Sequence, residues 1–163
     1  MATLPFLSMT IFLPLVGALA IFLNWSQQDS TQANNARWVA LWTSLVTLGL
    51  TLILWGNFDA ASSNFQFEDK FQWMPFLNIS YHVGVDGISL PFVILSALLI
   101  PICILTSWTS IQYRVAEYMI AFLVLETLLV GMFAALDFVL FYVFFEGVLI
   151  PMFLIIGMWG GPD

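Results

Sequence analysis

LFYVFFEGVLIPMF, residues 140–153, is an apolar run interrupted by a single acid, Glu146. Read outward, the run extends over residues 138–159. At about 1.5 Å per residue that is enough helix to cross a hydrocarbon core about 30 Å thick. Four more segments have the same character, 4–23, 38–55, 88–107 and 115–136, and none carries a Lys or Arg in its interior. The chain is 61% hydrophobic and 8% charged, against roughly 25% charged in ordinary soluble domains. The fold expected is all-α and integral to a membrane: five transmembrane helices in a single membrane domain spanning 1–163, with one outer loop at 56–87.

Other features agree with those spans. Pro5, Pro14, Pro91, Pro101 and Pro151 lie in or near the apolar runs, where neighbouring helices re-satisfy the freed carbonyls. Trp25, Trp38, Trp55, Trp108 and Trp159 stand at span ends, where indoles favour the headgroups; Trp42 lies one turn inside the second span and Trp73 in the loop. The first run lacks a charged leader and a small-residue cleavage site, so it reads as a retained helix. Arg37 and Arg114 flank one side and Lys70 the other. Two against one places Met1 outside and Asp163 in the cytoplasm or matrix. In the loop, Phe65, Phe67, Ile79, Tyr81, Val83 and Val85 alternate with polar or small residues. This period of two fits a short β-hairpin; an irregular aromatic loop resting on the headgroups is the other reading, and periodicity does not separate them.

Charge and composition exclude several functions. The net charge is −7, with three scattered strong bases, so the chain is not expected to bind nucleic acid, which needs clustered Lys and Arg. One cysteine, Cys103, excludes an intrachain disulfide framework and a CxxC-type metal or iron–sulfur site. No phosphate loop, nucleophile elbow or metal-ligand cluster is present. His82 reads as a surface loop residue.

Position sorts the ten acids. Asp29, Asp59, Glu68, Asp69 and Asp163 read as solvated charges. Asp86 and Asp137 precede the third and fifth spans and are placed to cap them. Glu117 stands three residues after Arg114, the spacing of an ion pair on one helix face. Glu126 and Glu146 differ from the rest. They lie eleven and eight residues into the fourth and fifth spans, close to the bilayer midplane. A charge there costs about 2.5–3.5 kcal/mol on insertion scales, so such acids are candidate functional groups by default. A proton-loading site needs a carboxyl whose hold on its proton changes when water or a cation approaches. Pro151 favours Glu146 in that role, because a helical proline frees the carbonyl four residues earlier, here that of Gly147. Glycine adds little bulk there, leaving room for a water. Glu146 is therefore the expected proton relay, Gly147 and Pro151 its helix-shaping neighbours, and Glu126 a secondary proton site.

The stretch LDFVLFYVFFEGVLIPMFLIIGMWGG (136–161) resembles the antiporter-like membrane subunit of NADH:quinone oxidoreductase, respiratory complex I, called chain M in bacteria and subunit 4 in mitochondria. Asp137, Phe141, Tyr142, Phe145, Glu146, Leu149, Pro151, Trp159 and Gly160 match that family's fifth-helix pattern. VGVDGIS (83–89) and EYMIAFLVLE (117–126) are similar to its upstream segments. The resemblance implies that Glu146 pairs with a lysine on a later helix, so that quinone reduction is coupled to proton translocation. It also implies that NADH, FMN, iron–sulfur clusters and quinone are bound by other subunits and that this chain holds no cofactor. The partners implied are other membrane subunits of complex I and the lipid bilayer, in a bacterial inner membrane or the mitochondrial inner membrane. Members of the family have about fourteen helices built on inverted repeats. This chain supplies five, so it is expected to be a truncated N-terminal fragment that does not translocate protons alone. A subunit of a multisubunit sodium/proton antiporter or membrane-bound hydrogenase, and a non-catalytic scaffold in which Glu146 only fixes packing, are the competing readings.

Overall fold

A computed structural model describes residues 4–24 and 30–161. Trp25, Asp29 and Asp163 lie outside the described residues. Among the described residues, five helices are long and apolar enough to cross a membrane: α1 (Phe6–Leu23), α2 (Ser30–Gly56), α3 (Ser89–Thr106), α4 (Val115–Ala134) and α5 (Phe138–Trp159). Between α2 and α3, strands β1 (Gln66–Met74) and β2 (Ile79–Val85) pair antiparallel, with Lys70 opposite His82 and Phe71 opposite Tyr81. A 3-10 turn at Pro75–Leu77 and Asn78 in the left-handed region (φ 54°) close the hairpin. The outer loop is thus ordered as a hairpin, the first of the two readings its alternation allows.

Two helix boundaries depart from the hydropathy pattern. α2 is already helical at Ser30, eight residues before the apolar run, because STQANNAR is polar yet still helical. Hydropathy marks what lipid covers, whereas a helix starts where its backbone bonds begin. α4 ends at Ala134 because the next residues are taken up by the hairpin: Ala135 bridges to Val83, and the Leu136 N–H donates to the His82 carbonyl at 2.8 Å.

α4 is the hub, packing on α1, α2, α3 and α5, while α5 packs chiefly on α4. Small residues set the close approaches, as lipid-embedded packing requires. A Cβ added at Gly17 would lie 2.5 Å from the Thr43 hydroxyl of α2, and one at Gly131 would lie 2.7 Å from the Phe144 ring of α5. Pro14, Pro101 and Pro151 sit inside continuous helices and are buried.

The interior divides into two apolar clusters along the bundle axis. One joins Ala18, Ala40, Ile104, Met119 and Leu123 at the end that carries Arg37 and Arg114. The other joins Leu7, Leu54, Val93, Val130 and Phe144 at the hairpin end.

Candidate functional site

The α4–α5 contact fixes where the two intramembrane acids point. Leu128 of α4 fills the space above Gly147 of α5, where a Cβ would approach it to 3.0 Å, and Phe144 of α5 lies on Gly131 of α4. At about 100° per residue, Glu126 is about 200° around α4 from Leu128 and about 140° from Gly131. Glu126 therefore leaves α4 on the side opposite α5. Glu146 is about 200° around α5 from Phe144 and leaves that helix away from α4. The antiparallel pairing of 128 with 147 and of 131 with 144 sets Glu146 level with about residue 129. The two acids are thus within about one helical turn in depth, on opposite outer sides of one helix pair.

Glu146 sits on the open side of α5. It is exposed in this chain, beside the stacked rings of Phe141 and Phe145, whose centroids are 6.0 Å apart. Among the described residues nothing hydrogen-bonds to it. The three strong bases are all at the ends of the bundle: Arg37 and Arg114 at one, Lys70 in the hairpin at the other. Gly147, expected to leave room for water, instead receives Leu128 on the α4 side.

Glu126 is fully enclosed, with 0% of its surface exposed. Both carboxyl oxygens, and the Thr127 hydroxyl beside them, have no hydrogen-bond partner. It stands between the two apolar clusters: Leu123, one turn before it, belongs to one, and Val130, one turn after it, to the other.

The remaining polar groups hold the ends of the bundle. Asp137 caps α5, its Oδ1 accepting from the Val139 N–H at 2.9 Å and the Leu140 N–H at 3.3 Å. Its Oδ2 accepts from the Ser80 N–H of β2 at 3.2 Å. The Ser80 bond is the main cause holding its carboxyl below the usual Asp range. Asp86 does the same at α3, accepting from Ser89 and Ile88 N–H at 2.7 and 3.0 Å while its own N–H donates to the Ser89 hydroxyl. The Ser89 backbone bond is the leading cause of its lowered pKa. Arg114 and Glu117 form the i, i+3 ion pair.

Sequence reasoning missed three of these roles. Asp69 is not a solvated loop charge: its Oδ2 accepts from the Ser8 N–H at 2.9 Å and the Ser8 hydroxyl at 2.6 Å, capping α1 from the hairpin. Glu68 is not free either, being paired with His82 at 2.7 Å. Arg37 is 9% exposed, and its guanidinium donates to the Ile111 carbonyl at 2.8 Å, tying α2 to the α3–α4 connection. No signal in the sequence joins positions so far apart in the chain; the alternation of the strands was the only hint that Asp69 faces a helix end. No group of three His, Cys, Asp or Glu side chains among the described residues could hold a metal ion.

Comparison with known proteins bears on the chain as a whole. The family model described as NADH-ubiquinone oxidoreductase chain 4, amino terminus, matches residues 4–135. NADH-ubiquinone oxidoreductase chain 4 of Chondrus crispus is 47% identical over 154 residues, 94% of this chain and 30% of that protein. NADH-quinone oxidoreductase subunit M of Rhodobacter capsulatus is 47% identical over 157 residues, again 30% of its length. A chain of respiratory complex I from Thermus thermophilus superposes with a TM-score of 0.77 at 25% identity, over 96% of this chain and 30% of that one. This chain spans less than a third of the length of these relatives. Five apolar helices and a match over 4–135 lead to one assignment: the chain is a multi-pass membrane protein that belongs to the NADH-ubiquinone oxidoreductase chain 4 family.

Proposed function

We propose that this chain contributes to a proton-translocating membrane subunit of NADH:quinone oxidoreductase, with Glu146 as the carboxyl through which quinone reduction is coupled to proton movement. One observation carries the reading. Glu146 is placed at mid-depth on the face of α5 that α4 leaves uncovered, beside the carbonyl that Pro151 frees. A relay carboxyl must meet a partner that changes its hold on the proton. Only that face offers room for one, since the bases among the described residues stand at the bundle ends. The partner is a lysine on a helix outside these 163 residues, as the family resemblance implies.

The other parts of the reading follow from this one. Other membrane subunits of complex I and the lipid bilayer are the partners, and NADH, FMN, iron–sulfur clusters and quinone are held elsewhere in the complex. The membrane is a bacterial inner membrane or the mitochondrial inner membrane. Glu126 takes a secondary place, because α4 stands between it and the face of Glu146. The test compares Glu146→Gln with Glu146→Asp in a full-length relative assembled into its complex. Loss of quinone-coupled proton pumping in the Gln variant, with recovery in Asp, is expected. Pumping that survives the Gln change at normal assembly levels sinks the proposal.

A further inference from the structure

The gap between the two apolar clusters is filled by polar side chains from three helices. On α2, Ser44, Thr47 and Thr51 are fully buried and lie between Leu41 of one cluster and Leu54 of the other. On α3, Ser96 is buried between Val93 and Ile100, which belong to opposite clusters. On α4 the same level is held by Glu126 and Thr127. Interpolating between the clusters puts Glu126 level with about residue 47 of α2 and about residue 97 of α3. Glu126 leaves α4 on the side away from α5, into this layer.

The hydrogen bonds give the layer a sign. A hydroxyl has one hydrogen to donate, and four of these hydroxyls spend it on their own helix. Ser44 donates to the Leu41 carbonyl at 2.8 Å, Thr47 to Thr43 at 2.9 Å, Thr51 to Leu48 at 2.7 Å and Ser96 to Phe92 at 2.8 Å. What they present to the interior is oxygen lone pairs. Pro101 lacks an N–H and so frees the Ala97 carbonyl, another acceptor at this level. Glu126 adds two unpartnered oxygens, and Thr127 alone keeps a hydroxyl hydrogen.

A buried carboxyl level with a layer built almost wholly of acceptors fits a guest that is positive or donates. No fixed charge among the described residues supplies it. Within its span α1 has no titratable side chain. On α2 the single one is Arg37, at the far end, and on α3 it is Cys103, nearly two turns away. Glu117 and Tyr118 stand at the start of α4, Tyr81 and His82 on β2 at the hairpin end, and Tyr142 and Glu146 on α5 across the helix. We propose that Glu126, Thr127, Thr47 and Ser96, flanked along α2 by Ser44 and Thr51, form an internal site for one monovalent positive charge, a proton or an alkali cation, separate from Glu146.

The test uses the full-length subunit of a close relative in its intact complex, with isotope-labelled glutamate and infrared detection. In sodium-free buffer a protonated-carboxyl band is expected that disappears in Glu126→Gln and survives in Glu146→Gln. Survival in the second variant separates this site from the relay. If added sodium chloride removes the band at constant pH, the guest exchanged is sodium; a band indifferent to sodium identifies the proton. A spectrum that Glu126→Gln leaves unchanged, with and without sodium, overturns the site. Should that variant fail to assemble, Thr47→Val carries the test: a shift of the band supports the layer, and an unshifted band refutes it.

Discussion

α4 and α5 are neighbouring antiparallel helices of similar composition, each with one glutamate near its middle, yet their surroundings are opposite. Of the most apolar stretch of α4, 61% is buried, against 17% for α5. Glu126 is sealed by helices of its own chain, whereas Glu146 is offered on a face that this chain does not cover. The cost of a midplane carboxyl is the same for both, so cost alone does not say what either does. What faces it does. A carboxyl enclosed within its own bundle suits a retained positive guest, and one on an uncovered face suits a partner that approaches from another helix.

The sharpest way to break the comparison is to neutralise each acid in turn. Glu146→Gln should lower quinone-coupled proton pumping by about 10²-fold or more, the range of a lost acid–base group, with assembly intact because nothing among the described residues bonds to it. Glu126→Gln should lower pumping less. Equal losses in proton-flux measurements would mean that the two sites act as one.

The interface that keeps the acids apart is the next target. Gly131→Val places a side chain where the Phe144 ring lies. Overpacking of this kind costs about 1–3 kcal/mol, to be read as a lowered unfolding midpoint in detergent. An unchanged midpoint would mean that α5 does not seat on α4 through this contact.

Smaller effects are expected where the hairpin fastens the helix ends. Asp137→Ala should cost about 0.5–2 kcal/mol through the lost cap of α5. The Asp137 carboxyl is held below its ordinary value by backbone N–H groups. Its stabilisation is therefore complete above the ordinary Asp range and fades as pH falls through the lowered folded value. Thermal unfolding of wild type and Asp137→Asn should converge on acidification. A gap that stays constant at low pH would exclude the charge as its cause. Lys70→Ala, which removes a side chain without a bond among the described residues, should leave the unfolding midpoint unchanged within error; a measurable drop would reveal a contact of Lys70 on strand β1.

Much of this molecule is written in local pattern. Five apolar runs, the absence of Lys and Arg within them, and the period of two around Tyr81 and Val83 answer to lipid and to pleating residue by residue. Asp86 and Asp137 are legible for the same reason, since a cap acts on the N–H groups two and three positions away. The resemblance to the family is read from a contiguous stretch around FYVFFEGVLIPMF, whereas the family model matches residues 4–135, upstream of it.

Other features depend on residues that only folding brings together. Asp69 caps a helix sixty-one positions earlier, and Arg37 seats against a carbonyl seventy-four positions later. The two mid-helix glutamates look alike in sequence because hydropathy records depth and not direction. Which side of a helix is covered depends on its neighbours, and here Gly131, Gly147 and their packing partners turn Glu126 inward and Glu146 outward. The sequence by itself determined that two acids lie in the membrane's apolar layer; the tertiary structure decided which of them is enclosed, because burial belongs to the packed bundle and to no single helix.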